Sequence, residues 1–226
     1  MKPRKVIDRT TTPDGDVLEL TLEADGNYVI RLRRVPLMSS GASGSERAMA
    51  KVARQILGSR KRCRVLVGGL GMGFTCRSAL DAFGPDAAIT VAELRPRIVE
   101  YNRGPLGPLA DHPLRDPRLR LFEGDVEQLL TQGAWDAILM DVDNGPDAKS
   151  TRSNKTLYGP RGVALMARAL TPGGVLVVWS VDASQPFEAA LRRCGLAVET
   201  QRVHARTEAR KGPKHTLFIG RAAQGK

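Results

Sequence analysis

Val65-Leu66-Val67-Gly68-Gly69-Leu70-Gly71-Met72-Gly73-Phe74-Thr75-Cys76-Arg77 is the stretch on which the reading of this chain turns. A short apolar run enters a glycine cluster, and a helix-compatible segment follows to about Phe83. Strand, tight turn and helix in that order open a doubly wound α/β sheet. Glycines at 69, 71 and 73 remove the Cβ atoms where the chain turns, so a ligand can approach the main chain. The helix start behind them offers unpaired N–H groups and the positive end of a dipole. A dinucleotide fingerprint needs G-x-G-x-x-G. Counted from Gly71 the third glycine is Cys76, and counted from Gly69 it is Phe74. The run is G-x-G-x-G instead. Glu93 ends the next apolar run, Ala88 to Glu93, where an acid is placed to bind ribose hydroxyls. Glycines, acid and order together indicate a nucleoside-type ligand.

Strands and helices alternate outward from this centre. Strands are expected at 64–68, 88–93, 118–122, 135–140, 175–179 and 196–203, with a last one at 216–220. Helices are expected at 45–57, 74–83, 96–102, 158–170 and 184–194. Residues 102–117 and 142–157 read as loops, and Thr171-Pro172-Gly173-Gly174 as a turn. The alternation predicts a mostly parallel, seven-stranded, Rossmann-like sheet with right-handed crossovers. The last two strands share only a loop, so they should be antiparallel. Before the sheet, Val17–Leu22 and Tyr28–Leu32 alternate apolar and polar around the turn signal Glu23 to Asn27. Three segments follow: a β-hairpin appendage over 1–36, a linker and leading helix over 37–63, and the main domain over 64–222.

The chain has 226 residues, 42% of them hydrophobic, and a net charge of +11. No apolar run is long enough to span a bilayer, and no apolar segment follows Met1 to Lys5, so neither a membrane helix nor a leader is expected. Cys63, Cys76 and Cys194 lack metal spacing and read as reduced thiols in a cytoplasmic protein. No metal is expected. The positive charge suits nucleic acid, an anionic small molecule or an acidic protein, or else it is spread over solvated faces. Aromatic content of 4% supplies no stacking platform among the basic clusters, so nucleic acid is not favoured. One such cluster is Arg202, Arg206, Arg210, Lys211 and Lys214. An isolated hairpin is marginal in water and needs a surface to pack on, which makes a homodimer one expectation.

These motifs together resemble the spermidine synthase-like branch of the class I S-adenosylmethionine-dependent methyltransferase fold, over residues 17 to about 180. That family's glycine motif, GGGDGG, is matched by Gly69-Leu70-Gly71-Met72-Gly73-Phe74. Its second strand ends V-E-L/I-D, here Ala92-Glu93-Leu94-Arg95. Its third ends G-D-A, here Gly124-Asp125-Val126, where the aspartate meets the adenine amino group. Its fourth ends D-S-x-D-P, here Asp141-Val142-Asp143-Asn144-Gly145-Pro146. A tyrosine follows, here Tyr158, and a P-G-G turn, here Pro172-Gly173-Gly174. The resemblance implies an S-adenosylmethionine-dependent transferase. Gly69, Leu70, Gly71, Met72, Gly73, Glu93, Leu94, Asp125, Val126 and Asp141 would hold S-adenosylmethionine or its decarboxylated form.

A transferase of this kind displaces at a carbon beside a sulfonium, and an amine acceptor must first lose a proton. Asp141, at the carboxyl end of strand four, is the candidate base. The alternative is that it only caps the following loop. Asp143 either orients the acceptor or faces solvent. Tyr158 either walls the acceptor pocket or packs in the core. Loop 142–157, with Lys149, Arg152 and Lys155, is either a lid or a solvated loop. Ser39, Ser40, Ser45 and Glu46 lie near the family's substrate junction.

In aminopropyltransferases the aspartate of the glycine motif helps hold the donor's amine, and here Met72 replaces it. The acceptor-binding aspartate of D-S-x-D is Asn144, unless Asp143 substitutes. Arg77 and Arg95 lie close in sequence and would favour the carboxylate of intact S-adenosylmethionine. Methyl transfer to a small amine or acid is therefore the first expectation. Aminopropyl transfer in polyamine synthesis, using the decarboxylated donor, is the second. A non-catalytic adenosyl-binding or RNA-associated module is the alternative of another class. Asp141 or Glu46, folding in, would restore the missing charge.

Overall fold

The computed structural model describes residues 4–13, 15–142, 145–146, 156–206 and 213–225. Two compact units divide the chain, Met1–Ser43 and Gly44–Lys226.

The first unit is a four-stranded antiparallel sheet in the order β1-β2-β3-β4. Its strands are β1 (Lys5–Thr11), β2 (Val17–Leu22), β3 (Tyr28–Leu32) and β4 (Val35–Ser39). The two strands expected from alternation are its central pair, where Leu18, Leu20, Ile30 and Leu32 are buried. Both edge strands escaped the reading. β1 is charged and threonine-rich, and β4 carries Pro36, which an edge strand tolerates because its outer N–H groups bond to no neighbour. The hairpin appendage is thus half of a complete small sheet. Ser40, expected in a flexible linker, accepts from the Tyr28 N–H at 2.9 Å and belongs to this unit.

The second unit is a seven-stranded sheet in the order β10-β11-β9-β8-β5-β6-β7. Its strands are β5 (Arg64–Gly68), β6 (Ala88–Glu93), β7 (Leu119–Glu123), β8 (Trp135–Met140), β9 (Leu170–Ser180), β10 (Ala197–His204) and β11 (Lys214–Arg221). The β5–β6, β6–β7, β5–β8 and β8–β9 pairs are parallel. β11 runs antiparallel to both β9 and β10, as expected from the short connection. Val65, Leu66 and Val67 are fully buried, as a central strand covered on both faces requires.

The helices are α1 (Gly44–Leu57), α2 (Phe74–Ala82), α3 (Pro96–Arg103), α4 (Val126–Gln132), α5 (Pro160–Ala169) and α6 (Gln185–Arg193). In α1, Met49, Ala50, Ala53 and Leu57 recur at helical spacing and form the buried face. α4 was not expected. It is short, and its start signal is Asp125, whose carboxylate accepts from the Glu127 N–H at 2.9 Å as an N-cap. Thr171 to Gly174, expected as a turn, lies inside β9. The chain there bulges past Trp135 and Ala137 without leaving the sheet. The order in which strands are added reverses between β5 and β8. Their carboxyl ends, Gly68 and Met140, therefore flank the crevice where doubly wound sheets bind ligands.

Candidate active site

The glycine loop leaves β5 and is held from three sides. Gly69 donates to the Ala92 carbonyl at 2.9 Å, and Gly73 to the Leu70 carbonyl at 2.8 Å. Asn102 of α3 donates to the Gly71 carbonyl at 2.8 Å and to the Ile98 carbonyl at 2.9 Å. The sequence reading put Asn102 at the start of a loop, but it is the buried clamp on the glycine turn. Gly69 adopts φ +90°, and a Cβ there would lie 2.3 Å from the Asp141 carbonyl oxygen. This glycine is demanded by the neighbouring strand's exit, a reason the sequence reading, which looked to the ligand, did not supply. Gly73 caps α2 at φ +83°.

Glu93 is 6% exposed. One of its oxygens accepts from the Leu70 N–H at 3.0 Å and the other from the Arg95 N–H at 2.9 Å. Its carboxylate thus braces the glycine loop, and a carboxylate retains further lone pairs for ribose hydroxyls. Leu94, next along, is 56% exposed and leaves an apolar side chain at the mouth. Asp125 is exposed and Val126 buried, at the start of α4. Leu70 and Met72 are 1% and 4% exposed, so their side chains are buried in the interior. Met72 is a core residue and leaves no apolar gap in the crevice.

Asp141 follows β8. Its N–H donates to the Gly68 carbonyl at 2.8 Å. Thr75, in the first turn of α2, donates its hydroxyl to the Asp141 carboxylate at 2.6 Å. Tyr158 is buried in the core against Phe187, edge to face at 5.8 Å. Its hydroxyl donates to the Val142 carbonyl at 3.0 Å, one residue past Asp141. Asp143, Asn144 and the lid cations Lys149, Arg152 and Lys155 lie outside the described residues, as do Arg210 and Lys211.

Glu46, in the first turn of α1, faces Asp141 electrostatically. Burial raises its carboxyl pKa to about 7, and the charge of Asp141 adds to the rise. Ser45 donates to the Glu46 carboxylate at 2.7 Å. Ser45 is fully buried and not a solvent-facing helix cap. Trp179 donates to its hydroxyl at 2.9 Å, and His215 of β11 meets it through Nδ1 at 2.8 Å. Ser45 and Glu46 were expected near a substrate junction, but Trp179 and His215 were not, because the members stand up to 170 positions apart. Arg77, expected near a donor carboxylate, pairs with Asp81 at 2.7 Å and Asp111 at 3.7 Å. Two carboxylates, one of them protonatable near neutrality, therefore gather at the switch point, where a cation would satisfy both.

Glycine loop, acid-ended second strand and the Asp141 carboxylate meet at the carboxyl ends of the central strands. No family model matches the chain. Curated polyamine aminopropyltransferases from Mycobacterium tuberculosis (strain ATCC 25618 / H37Rv) and Mycobacterium bovis are 32% identical over 157 residues, 63% of this chain and 28% of theirs. The chain thus spans under a third of the length of those relatives. The solved spermidine synthase from Thermotoga maritima superposes with a TM-score of 0.77 at 16% identity, over 98% of this chain and 74% of that one. A spermidine synthase in complex with the transition state analogue AdoDATO gives 0.75 at 16%, over 98% and 73%. A probable spermidine synthase from Corynebacterium glutamicum gives 0.64 at 16%, over 96% and 79%. The chain carries the spermidine synthase-like fold, built on the class I S-adenosylmethionine-dependent transferase sheet. No helix among the described residues is long and apolar enough to cross a membrane.

Proposed function

We propose that this chain transfers an aminopropyl group from decarboxylated S-adenosylmethionine to an amine. The arrangement that carries this is Asp141, at the exit of β8 against Gly69, with its charge felt by the Glu46 carboxyl of α1. The decarboxylated donor ends in an ammonium and carries no carboxylate, so its tail is a net cation. Two partly buried carboxylates favour such a tail, and the same charge draws an amine acceptor. The two grounds for methyl transfer weaken together. Met72 is buried, and Arg77 is committed to Asp81 and Asp111. The curated relatives are named for aminopropyl transfer, which supports the same reading.

In this reading Glu93 and the glycine loop hold the nucleoside, with Leu94 and Asp125 at its rim. The acceptor ammonium first loses a proton to the carboxylate pair, Asp141 being the nearer to β5, and the freed nitrogen attacks the propyl carbon in line with the sulfonium. The carbon–sulfur bond breaks, its electron pair goes to sulfur, and methylthioadenosine leaves neutral. The positive charge passes to the product nitrogen, which leaves as a secondary ammonium. The hydroxyl of Thr75 fixes the Asp141 carboxylate during the transfer.

A competition titration with both donors tests the proposal. The expected result is binding of the decarboxylated donor tighter by about tenfold or more, the scale of one charge-assisted contact. Addition of putrescine or a related amine should then release methylthioadenosine. Preference for intact S-adenosylmethionine, with S-adenosylhomocysteine as product, would replace this reading by methyl transfer.

A further inference from the structure

We infer that Ser45 and His215 form a proton exit from the carboxylate pair, running from Glu46 through the Ser45 hydroxyl to the imidazole of His215. The inference rests on the amine-alkylating reading only for the source of the proton. The wire itself is geometric: 2.7 Å from Ser45 Oγ to Glu46 Oε2 and 2.8 Å from Ser45 Oγ to His215 Nδ1.

Hydrogen-bond counting defines its two states. A hydroxyl gives one proton and takes two. The Trp179 ring nitrogen can only donate, so at 2.9 Å it always occupies one acceptor place on Ser45. One donor and one acceptor place remain, for Glu46 and His215. With Glu46 ionised, Ser45 donates to Glu46 and His215 must carry its proton on Nδ1 to donate to Ser45. With Glu46 protonated, Glu46 donates to Ser45, Ser45 donates to His215 Nδ1, and the neutral ring carries its proton on Nε2. Both arrangements satisfy Ser45 completely, which matters for a hydroxyl with no access to water.

Passage between the states moves one proton without rotating the serine. The Glu46 O–H breaks as its proton joins Ser45 Oγ, and the former Ser45 O–H breaks as its proton joins Nδ1. The imidazolium then gives its Nε2 proton to water, and His215 is partly exposed. Nothing is oxidised or reduced; one proton leaves the site, and exchange with water restores the other tautomer. Trp179 also holds the ring edge to face, with centroids 4.7 Å apart.

The charged groups around the wire, among the described residues, are these. Glu46 feels Asp141 of the β8 exit and Arg47 beside it on α1. His215 feels Arg202 of β10 and Asp182 after β9. Burial, with the Arg202 charge, holds His215 below the ordinary 6.5, while Asp182 pulls the other way. A pH interval therefore exists in which Glu46 is protonated and His215 is still neutral.

Nitrogen-15 NMR of the histidine rings in the intact chain tests this without any turnover. His215→Gln assigns the signal among the chain's three histidines. The expected result is a neutral ring that changes from the Nε2–H to the Nδ1–H tautomer as pH rises through about 7. In Glu46→Gln the midpoint near 7 should vanish. A single tautomer throughout, or a switch unaffected by Glu46→Gln, overturns the wire. In kinetics, Ser45→Ala should lower turnover by about 10²-fold, and Ser45→Thr should restore it. Equal loss in the alanine and threonine variants would make Ser45 a packing residue and also overturns the proposal. A tautomer switch in a protein that transfers no aminopropyl group would sustain the wire and remove the functional reading.

Discussion

Glu46 makes the protein's stability fall as pH rises through a range where most proteins gain it, and Glu46→Gln isolates the effect. Its pKa rises from 4.5 to about 7 in the folded chain, first through burial and second through the charge of Asp141. In the unfolded chain it returns to the ordinary value. Between the two, the folded state holds more protons than the unfolded state, so this group's contribution declines as pH increases. It costs nothing below about 4.5 and its full penalty above about 7. At about 1.4 kcal/mol for each pH unit, the penalty is about 3 kcal/mol. Glutamine keeps an oxygen for the Ser45 hydroxyl and offers its amide to Asp141 without a charge. Urea unfolding of both proteins at intervals from pH 4.5 to 8.5 measures the difference. The variant should match the parent at the acid end and exceed it by about 2–3 kcal/mol at the alkaline end. Parallel stability curves would refute the burial argument and, with it, the carboxylate pair as a cation site.

Two further outcomes follow from the crevice. Gly69→Ala places a methyl on the Asp141 carbonyl at a left-handed backbone position, so urea unfolding should show a loss of about 2–4 kcal/mol and the remaining folded protein should bind donor poorly. Asp141→Asn keeps the shape and the Thr75 contact but removes the charge; steady-state kinetics should show turnover down by roughly 10²–10⁴-fold, and unchanged turnover would reduce Asp141 to a loop cap.

The α/β sheet was legible because its signals are local. Val65 to Val67 are buried on both faces and read as an unbroken apolar run, and Glu93 and Asp141 follow β6 and β8 as polar punctuation. The edge strands β1 and β4 were not, because half their surface answers to solvent and their composition follows suit. Within the site, Gly69 and Glu93 could be named from spacing, but not their present work. Gly69 clears the Asp141 carbonyl and Glu93 ties down Leu70, and both depend on a neighbouring strand or loop. The Arg77 argument weakened for a related reason: sequence proximity to the glycine loop does not say which partner a side chain takes, and Arg77 pairs with Asp81 and Asp111. Ser45, Trp179 and His215 are ordinary residues in ordinary positions until three separate elements bring them within hydrogen-bonding reach.

The 2.3 Å that a methyl at Gly69 would leave to the Asp141 carbonyl makes the glycine loop and the exit of β8 a single mechanical part. Neither can be re-cut without displacing the other, so a change of acceptor cannot be made by remodelling the exit of β8 alone. Glu46 is different, because it rides on α1, an element with its own packing face and its own anchor at Ser45. The protein's adjustable jaw is therefore the helix ahead of the nucleotide fold. If the proposed amine transfer holds, retuning the acceptor should begin at the first turn of α1 and leave the fixed jaw, Gly69 with Asp141, untouched.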